Sequence, residues 1–209
     1  MGRFRAMIYP DSGLRNSFFV GTDPLQYLQQ YAECLAKTAA AFPGEELKKT
    51  LEILTDTSRH GKAVYVAGNG GSFAIAQHLC CDWMKGTFVG HLAPLRVFTL
   101  GANQSLLTAV ANDFGYEYSF SAQLDMVGQE GDVGVFVSSS GNSPNILRAV
   151  EVAKQKKMRT IGLTGFEGGK LREMADVKLH VAVKNYGVVE DFHQMLMHVL
   201  AQFFYLSRT

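Results

Sequence analysis

The stretch Ala63-Val64-Tyr65-Val66-Ala67-Gly68-Asn69-Gly70-Gly71-Ser72 constrains the fold more than any other part of the chain. Five residues suited to a buried strand run into a glycine-rich corner. Ser72, a residue type that caps helices, then leads into Phe73-Ala74-Ile75-Ala76-Gln77-His78-Leu79, which reads as a helix. Strand, tight turn and helix N-terminus in that order make an anion site, because free backbone N–H groups and the positive end of the helix dipole converge where glycines let a phosphate come close. A dinucleotide fingerprint would carry glycine at Phe73, and a nucleotide-hydrolase phosphate loop would carry Gly-Lys-Ser/Thr, which occurs nowhere in the chain. What remains is a phosphate held by glycines, hydroxyls and amides, beside the plainer reading of a structural turn.

Around this corner the pattern is that of an α/β protein. Residues Met1 to Val20 show no clear period, and residues 1–21 are read as a tail or arm, with a single domain over 22–209. Thr22-Asp23-Pro24 opens a helix on which Leu25, Leu28, Tyr31, Leu35 and Thr38 share a face, and a second helix runs from Glu45 to about Arg59. Strands are expected at Ala63–Ala67, Leu95–Leu100, Val133–Val137, Thr160–Leu163 and Val177–Val183. Helices are expected at Ser72–Lys85, Gln104–Asn112, Glu117–Val127, Ser143–Lys157, Gly169–Met174 and from about Val188 to Leu206. Short apolar strands alternating with helices give a five-stranded parallel, doubly wound (flavodoxin-like) sheet flanked by helices, with ligands at the carboxyl ends of its strands. Two helices ahead of the first strand exceed what such a domain needs and suggest pairing with a second copy.

Composition excludes several classes. A formal net charge of +1 over 209 residues gives no general attraction to nucleic acid or to an acidic membrane. No secretory signal is visible, and no apolar run reaches the ~18 residues that span a bilayer, so a cytoplasmic protein is expected. Cys34, Cys80 and Cys81 are odd in number and partly adjacent, which suits buried reduced thiols better than disulfides or a zinc ribbon.

A second hydroxyl-rich corner follows the third strand. Ser138-Ser139-Ser140-Gly141-Asn142-Ser143-Pro144 precedes the helix Asn145-Ile146-Leu147-Arg148, with Ser143 suited to the N-cap and Pro144 to the first helical position. The serines could be turn chemistry alone. Two such corners at one sheet edge, however, can both donate hydrogen bonds to one phosphate. The Leu163-Thr164-Gly165 end of the fourth strand, with Gly168-Gly169, reads as structure.

From Leu25 to Leu206 the sequence resembles the sugar isomerase (SIS) domain family and, within it, the phosphoheptose isomerases. The markers are Ala67-Gly68-Asn69-Gly70-Gly71-Ser72, Gln77-His78, Ala111-Asn112-Asp113-Phe114-Gly115, Glu130-Gly131-Asp132-Val133, Ser138-Ser139-Ser140-Gly141-Asn142-Ser143 and Leu163-Thr164-Gly165 with Gly168-Gly169-Lys170. The resemblance implies a homotetramer with active sites between subunits. It places Asn69, Gly70, Gly71, Ser72, Asn112 and Asp113 on the substrate, and Ser138, Ser139, Ser140 and Ser143 on its phosphate. His78, Asp82, Glu190 and His198 fall where the family has a zinc ligand set that is also catalytic, one zinc per site, with Glu190 also counted among the substrate contacts. The family commonly has glutamate where Asp82 stands and glutamine where Glu190 stands.

Read directly, His78 and Asp82 are four apart, hence on one helix face and within ~6 Å at Cβ. Glu190 and His198 lie two turns apart, ~12 Å by helical rise, and can meet one ion only around a cleft. Each has a plainer alternative: a backbone-bonded histidine for His78, a solvated residue beside Lys85 for Asp82, helix N-terminal capping with Asp191 for Glu190, and a core histidine for His198. His193 is read as support or interface. The reaction implied is sedoheptulose 7-phosphate to D-glycero-D-manno-heptose 7-phosphate through an enediolate, toward the heptose of bacterial surface polysaccharide. Asp82 would be the base and His198 the partner acid, unless the shorter aspartate hands the base role to Glu190. The alternative is a non-catalytic SIS module that binds sugar phosphates or resembles the relatives that associate with the replication initiator. Such a binder needs the serine corner but not the carboxylates and imidazoles.

Overall fold

A computed structural model describes residues 23–208; the expected tail over 1–21 lies outside them. Among the described residues the order is α1 (Pro24–Ala41), α2 (Gly44–Arg59), β1 (Ala63–Gly68), α3 (Gly71–Met84), β2 (Arg96–Thr99), α4 (Gln104–Phe114), a 3₁₀ turn (Tyr116–Tyr118) and α5 (Ser121–Val127). There follow β3 (Val133–Ser138), α6 (Pro144–Gln155), β4 (Arg159–Thr164), α7 (Gly169–Met174), β5 (Val177–His180) and α8 (Tyr186–Leu206). The five strands form one parallel sheet in the order β2-β1-β3-β4-β5. The order reverses between β1 and β3, which makes the crevice beyond their carboxyl ends the place where such sheets bind ligands.

Burial follows the expected logic. β3 is buried along its whole length, and Val64, Val66, Val135, Ile161 and Phe136 are completely buried under helices on both faces. Helix α8 is the long clamp on one face, burying Val188, Val189, Phe192, Leu196, Met197, Leu200 and Phe204. It lies against α3, where the buried Trp83 Nε1 donates to the Met197 carbonyl at 3.1 Å. That contact fixes the register of the two helices that carry the ionisable residues. Among the described residues no helix is long and apolar enough to cross a membrane.

Several sequence expectations need correction. The helix expected over Glu117–Val127 is a 3₁₀ turn followed by α5, because Ser119 and Phe120 turn inward and are buried. The fifth strand stops at His180 rather than Val183, the chain closing a tight turn with Val183 N–H on the Val181 carbonyl. On α1, Leu25 and Leu28 are exposed, and the helix instead rests on the core through Tyr27, Tyr31, Cys34 and Leu35. Cys81 is exposed and Cys34 and Cys80 are only partly buried, so the cysteines are free thiols but not core residues.

Candidate active site

The β1–α3 corner is closed by backbone rather than by a side-chain cap. Gly70 takes the N-cap position at φ +54°, a conformation that suits glycine, and α3 begins at Gly71. Ser72 therefore lies buried inside the first turn and is not the N-cap that its residue type suggested. A Cβ on Gly68 would lie 2.4 Å from the Ser72 carbonyl oxygen, so strand and helix meet too closely there for any side chain.

At the β3–α6 corner, Ser143 is the N-cap and Pro144 opens the helix, as expected, but the Ser143 hydroxyl makes no capping bond. It lies 3.2 Å from Ser138 Oγ, so the two hydroxyls face each other across the mouth of the loop. Ser139 Oγ is buried with no hydrogen-bond partner among the described residues. Ser140 Oγ accepts from the Asn142 N–H at 3.3 Å, shaping the turn. The loop is braced from behind: a Cβ on Gly141 would strike the Gly168 carbonyl, and Asn142 Oδ1 accepts from the Lys170 N–H at 3.1 Å. The Gly168-Gly169 segment is thus structural.

The two corners are tied together at the point where the strand order reverses. Asn69 and the buried Asn145 exchange two hydrogen bonds, Asn69 Nδ2 to Asn145 Oδ1 at 2.9 Å and Asn145 Nδ2 to Asn69 Oδ1 at 3.0 Å. Tyr116 donates its hydroxyl to the same Asn69 oxygen at 2.8 Å, and Asn145 also reaches Ser119 Oγ at 3.2 Å. A cavity of about 450 Å³ opens between Asn69, Tyr116, Glu117, Ser143 and Arg148. Asn145, Tyr116 and Arg148 escaped the sequence reading: an asparagine after Ser-Pro looks like turn chemistry, and nothing local marks it as the partner of Asn69. Asn112 and Asp113 bond to each other at 2.9 Å on the exposed last turn of α4, and Asp113 lines a neighbouring cavity that shares Arg148.

The ionisable residues meet between α3 and α8. His198 Nδ1 lies 2.9 Å from Asp82 Oδ2 and His78 Nε2 lies 3.6 Å from Asp82 Oδ1. The two rings stand edge to face, with centroids 4.9 Å apart. One ligand atom from each of His78, Asp82 and His198 falls within 4.8 Å of the other two. Two imidazoles and a carboxylate are a donor set suited to zinc, and atoms this close need draw in by only about 1 Å to share one ion at zinc-ligand distances near 2.1 Å. Glu190 stands outside this group. Its carboxylate leans over the start of α3, 2.5 Å from where a Cβ on Gly71 would be. Burial there raises its pKa above the ordinary carboxylate value, and the charge of Asp191 adds to the effect.

Gln194, one turn before His198, was not singled out from the sequence. Its amide lies 2.7 Å from His78 Nδ1 and 3.1 Å from His198 Nε2. His193 is not at a surface: it is fully buried with Nε2 on the Thr164 carbonyl at 3.2 Å, and burial pushes its pKa down to about 4.

With this geometry in place, likeness to known proteins becomes informative. The sequence profile of the SIS domain matches residues 26–165. The chain belongs to the SIS domain family. It is 37% identical to the phosphoheptose isomerase of Rhodospirillum rubrum over 174 residues, 83% of this chain and 91% of that protein. The solved phosphoheptose isomerase of Francisella tularensis superposes with a TM-score of 0.80 at 30% identity, covering 87% of this chain and 96% of that one. That of Neisseria gonorrhoeae gives 0.79 at 29% identity, covering 86% and 95%. The SIS fold that the resemblance implies is the one observed.

Proposed function

We propose that this SIS-domain protein is a phosphosugar isomerase that interconverts sedoheptulose 7-phosphate and D-glycero-D-manno-heptose 7-phosphate, an aldose–ketose isomerisation in heptose biosynthesis. The observation that carries the reading is the meeting of Asp82 with two imidazoles from neighbouring helices, beside a hydroxyl-lined corner at the strand reversal. The relatives of similar length named phosphoheptose isomerase, at 35–37% identity, support the substrate class.

In this reading Ser138, Ser139, Ser140 and Ser143 hold the phosphate with the free amides at the start of α6, and Asn69, Gly70, Gly71 and Ser72 line the adjoining sugar. Asn112 and Asp113 approach from the end of α4. The chemistry moves one carbon-bound proton and one oxygen-bound proton. The base takes a proton from C1 of the ketose and returns it to C2, while the hydroxyl proton of O1 is lost and O2 gains one, through an enediolate. Asp82 is assigned as base because its carboxylate is the one held between the rings, and His198 as the acid that serves the oxygens. Glu190, kept less acidic by burial, faces the sugar end and is the second candidate for base.

His78, Asp82 and His198 would hold one zinc per site, with Glu190 as an outlying fourth ligand. Bound there, zinc would supply electrostatic stabilisation of negative charge on the enediolate oxygens. The site is half-exposed in one chain, and Val199, Phe203 and Leu206 form an exposed apolar stripe on α8 beside it. That stripe supports a homo-oligomer, a tetramer by the family resemblance, in which a second copy covers the site. A cytoplasmic location and one domain spanning residues 22–209 belong to the same reading.

Assay of the purified protein on five-, six- and seven-carbon ketose phosphates tests it. Turnover favouring the seven-carbon sugar is expected. Sugar-phosphate binding with no turnover on any of them would favour the non-catalytic SIS alternative.

A further inference from the structure

We propose that Gln194 sets the orientation and the tautomer of both active-site imidazoles, so that His78 Nε2 and His198 Nδ1 turn toward Asp82. The inference rests on the site reading above and goes beyond it, since neither Gln194 nor any imidazole tautomer figures in that reading.

Four side chains close a ring. Asp82 stands on one side, its two oxygens facing one nitrogen of each imidazole. Gln194 stands on the other, its amide 2.7 Å from His78 Nδ1 and 3.1 Å from His198 Nε2, so every ring nitrogen faces either the carboxylate or the amide. A neutral imidazole carries one proton, and the partner at one nitrogen decides which nitrogen holds it. An amide NH₂ has two N–H donors and can serve both unprotonated nitrogens at once. The protons are then left on His78 Nε2 and His198 Nδ1, where the ionised carboxylate of Asp82, which only accepts, stabilises them. The rings meet edge to face, a contact that helps to hold them but does not decide which nitrogen of each carries the proton. The amide supplies the restraint from one turn away on α8.

Glutamine also suits the metal-loaded state. A cation taken up between Asp82 and the rings requires the facing nitrogens to be bare, which moves each proton to the far nitrogen. Turned over, the same amide presents Oε1, with two lone pairs, to the two relocated N–H groups. A carboxylate serves only the second state and a thioether serves neither. Polar partners of this kind behind metal-binding histidines are typically worth 10–100-fold in metal affinity or activity.

The test uses the full chain labelled with ¹⁵N-histidine. Long-range ¹H–¹⁵N spectra of zinc-free protein should show His78 protonated at Nε2 and His198 at Nδ1, assigned by loss of each signal in His78→Gln and His198→Gln. In Gln194→Met the pattern should blur into mixed tautomers. Zinc affinity by chelator competition should weaken roughly 10- to 100-fold and kcat fall by a similar factor, with KM within about threefold. Unchanged tautomers and zinc affinity in Gln194→Met would overturn the inference. Should that variant not fold, Gln194→Glu decides, because a second carboxylate draws protons to the far nitrogens, either as a relocated N–H or as a doubly protonated ring; an unchanged spectrum overturns the proposal. Full turnover in Asp82→Asn would instead remove Asp82 as base, and no turnover by the parent on any ketose phosphate would remove the isomerase reading; both outcomes are separate from loss of the Gln194 effect.

Discussion

His198 Nδ1 lies 2.9 Å from Asp82 Oδ2 although 116 positions separate them in the chain. The pair exists because α3 and α8 lie side by side, pinned one residue away by the Trp83–Met197 bond. The same alignment sets Glu190 over Gly71 and Gln194 beside His78, so a line of polar α8 residues follows one face of α3 from its N-terminus.

The Ser143 hydroxyl faces Ser138 rather than capping α6. Removing it should therefore spare the helix, where loss of a working cap costs ~1 kcal/mol. Ser143→Ala is expected to keep urea-unfolding stability within about 0.5 kcal/mol of the parent. Its affinity for the substrate phosphate should weaken roughly 10- to 150-fold, the equivalent of one hydrogen bond to a charged group. Calorimetric titration with a non-reactive sugar phosphate separates the two effects.

The three atoms nearest to where a Cβ on Gly71 would lie all belong to the flexible end of Glu190, at 2.5–2.8 Å. Gly71→Ala should displace that carboxylate at little cost in stability, since alanine favours the helix by up to about 1 kcal/mol. If Glu190 contributes to turnover, Gly71→Ala and Glu190→Ala should lower kcat/KM by similar factors, and the double variant should be no worse than either single one. Steady-state kinetics on the three variants read this out.

Protein purified without chelator should carry close to one zinc per chain by elemental analysis. Stripping it should lower turnover, and adding zinc back should restore it. Well under stoichiometric metal with no recovery would remove the ion from the account.

His193 is buried and neutral, its pKa pushed down to about 4 from an ordinary 6.5. Between those values the unfolded chain binds the proton and the folded one does not, so this contribution to stability is whole above pH 6.5 and is lost as pH falls toward 4. The full span corresponds to on the order of 3 kcal/mol. Urea unfolding at pH 7.5 and pH 4.5 should show the parent losing about 2 kcal/mol more than His193→Gln, which does not titrate.

What could be read from the sequence was what local chemistry decides. The glycine and serine corners mark the strand ends, and four-residue spacing puts His78 and Asp82 on one face of α3. Glycine at positive φ, not serine, caps α3, a distinction of backbone angle that the residue type alone does not reveal. His198 joins Asp82 only through helix–helix packing, so family resemblance and not periodicity pointed to it. Gln194 and Asn145 were passed over because an amide on a helix is an ordinary residue until its partners, 116 and 76 positions away, are in place.

Proton NMR of sedoheptulose 7-phosphate in heavy water, with parent protein and Asp82→Asn, addresses the central assignment most directly. The parent should exchange deuterium into C1 of the ketose and form aldose labelled at C2. Asp82→Asn should lose about 10²–10⁴-fold of that rate while still binding the sugar phosphate. Exchange at the parental rate in Asp82→Asn, or none in the parent with any ketose phosphate, would contradict the account.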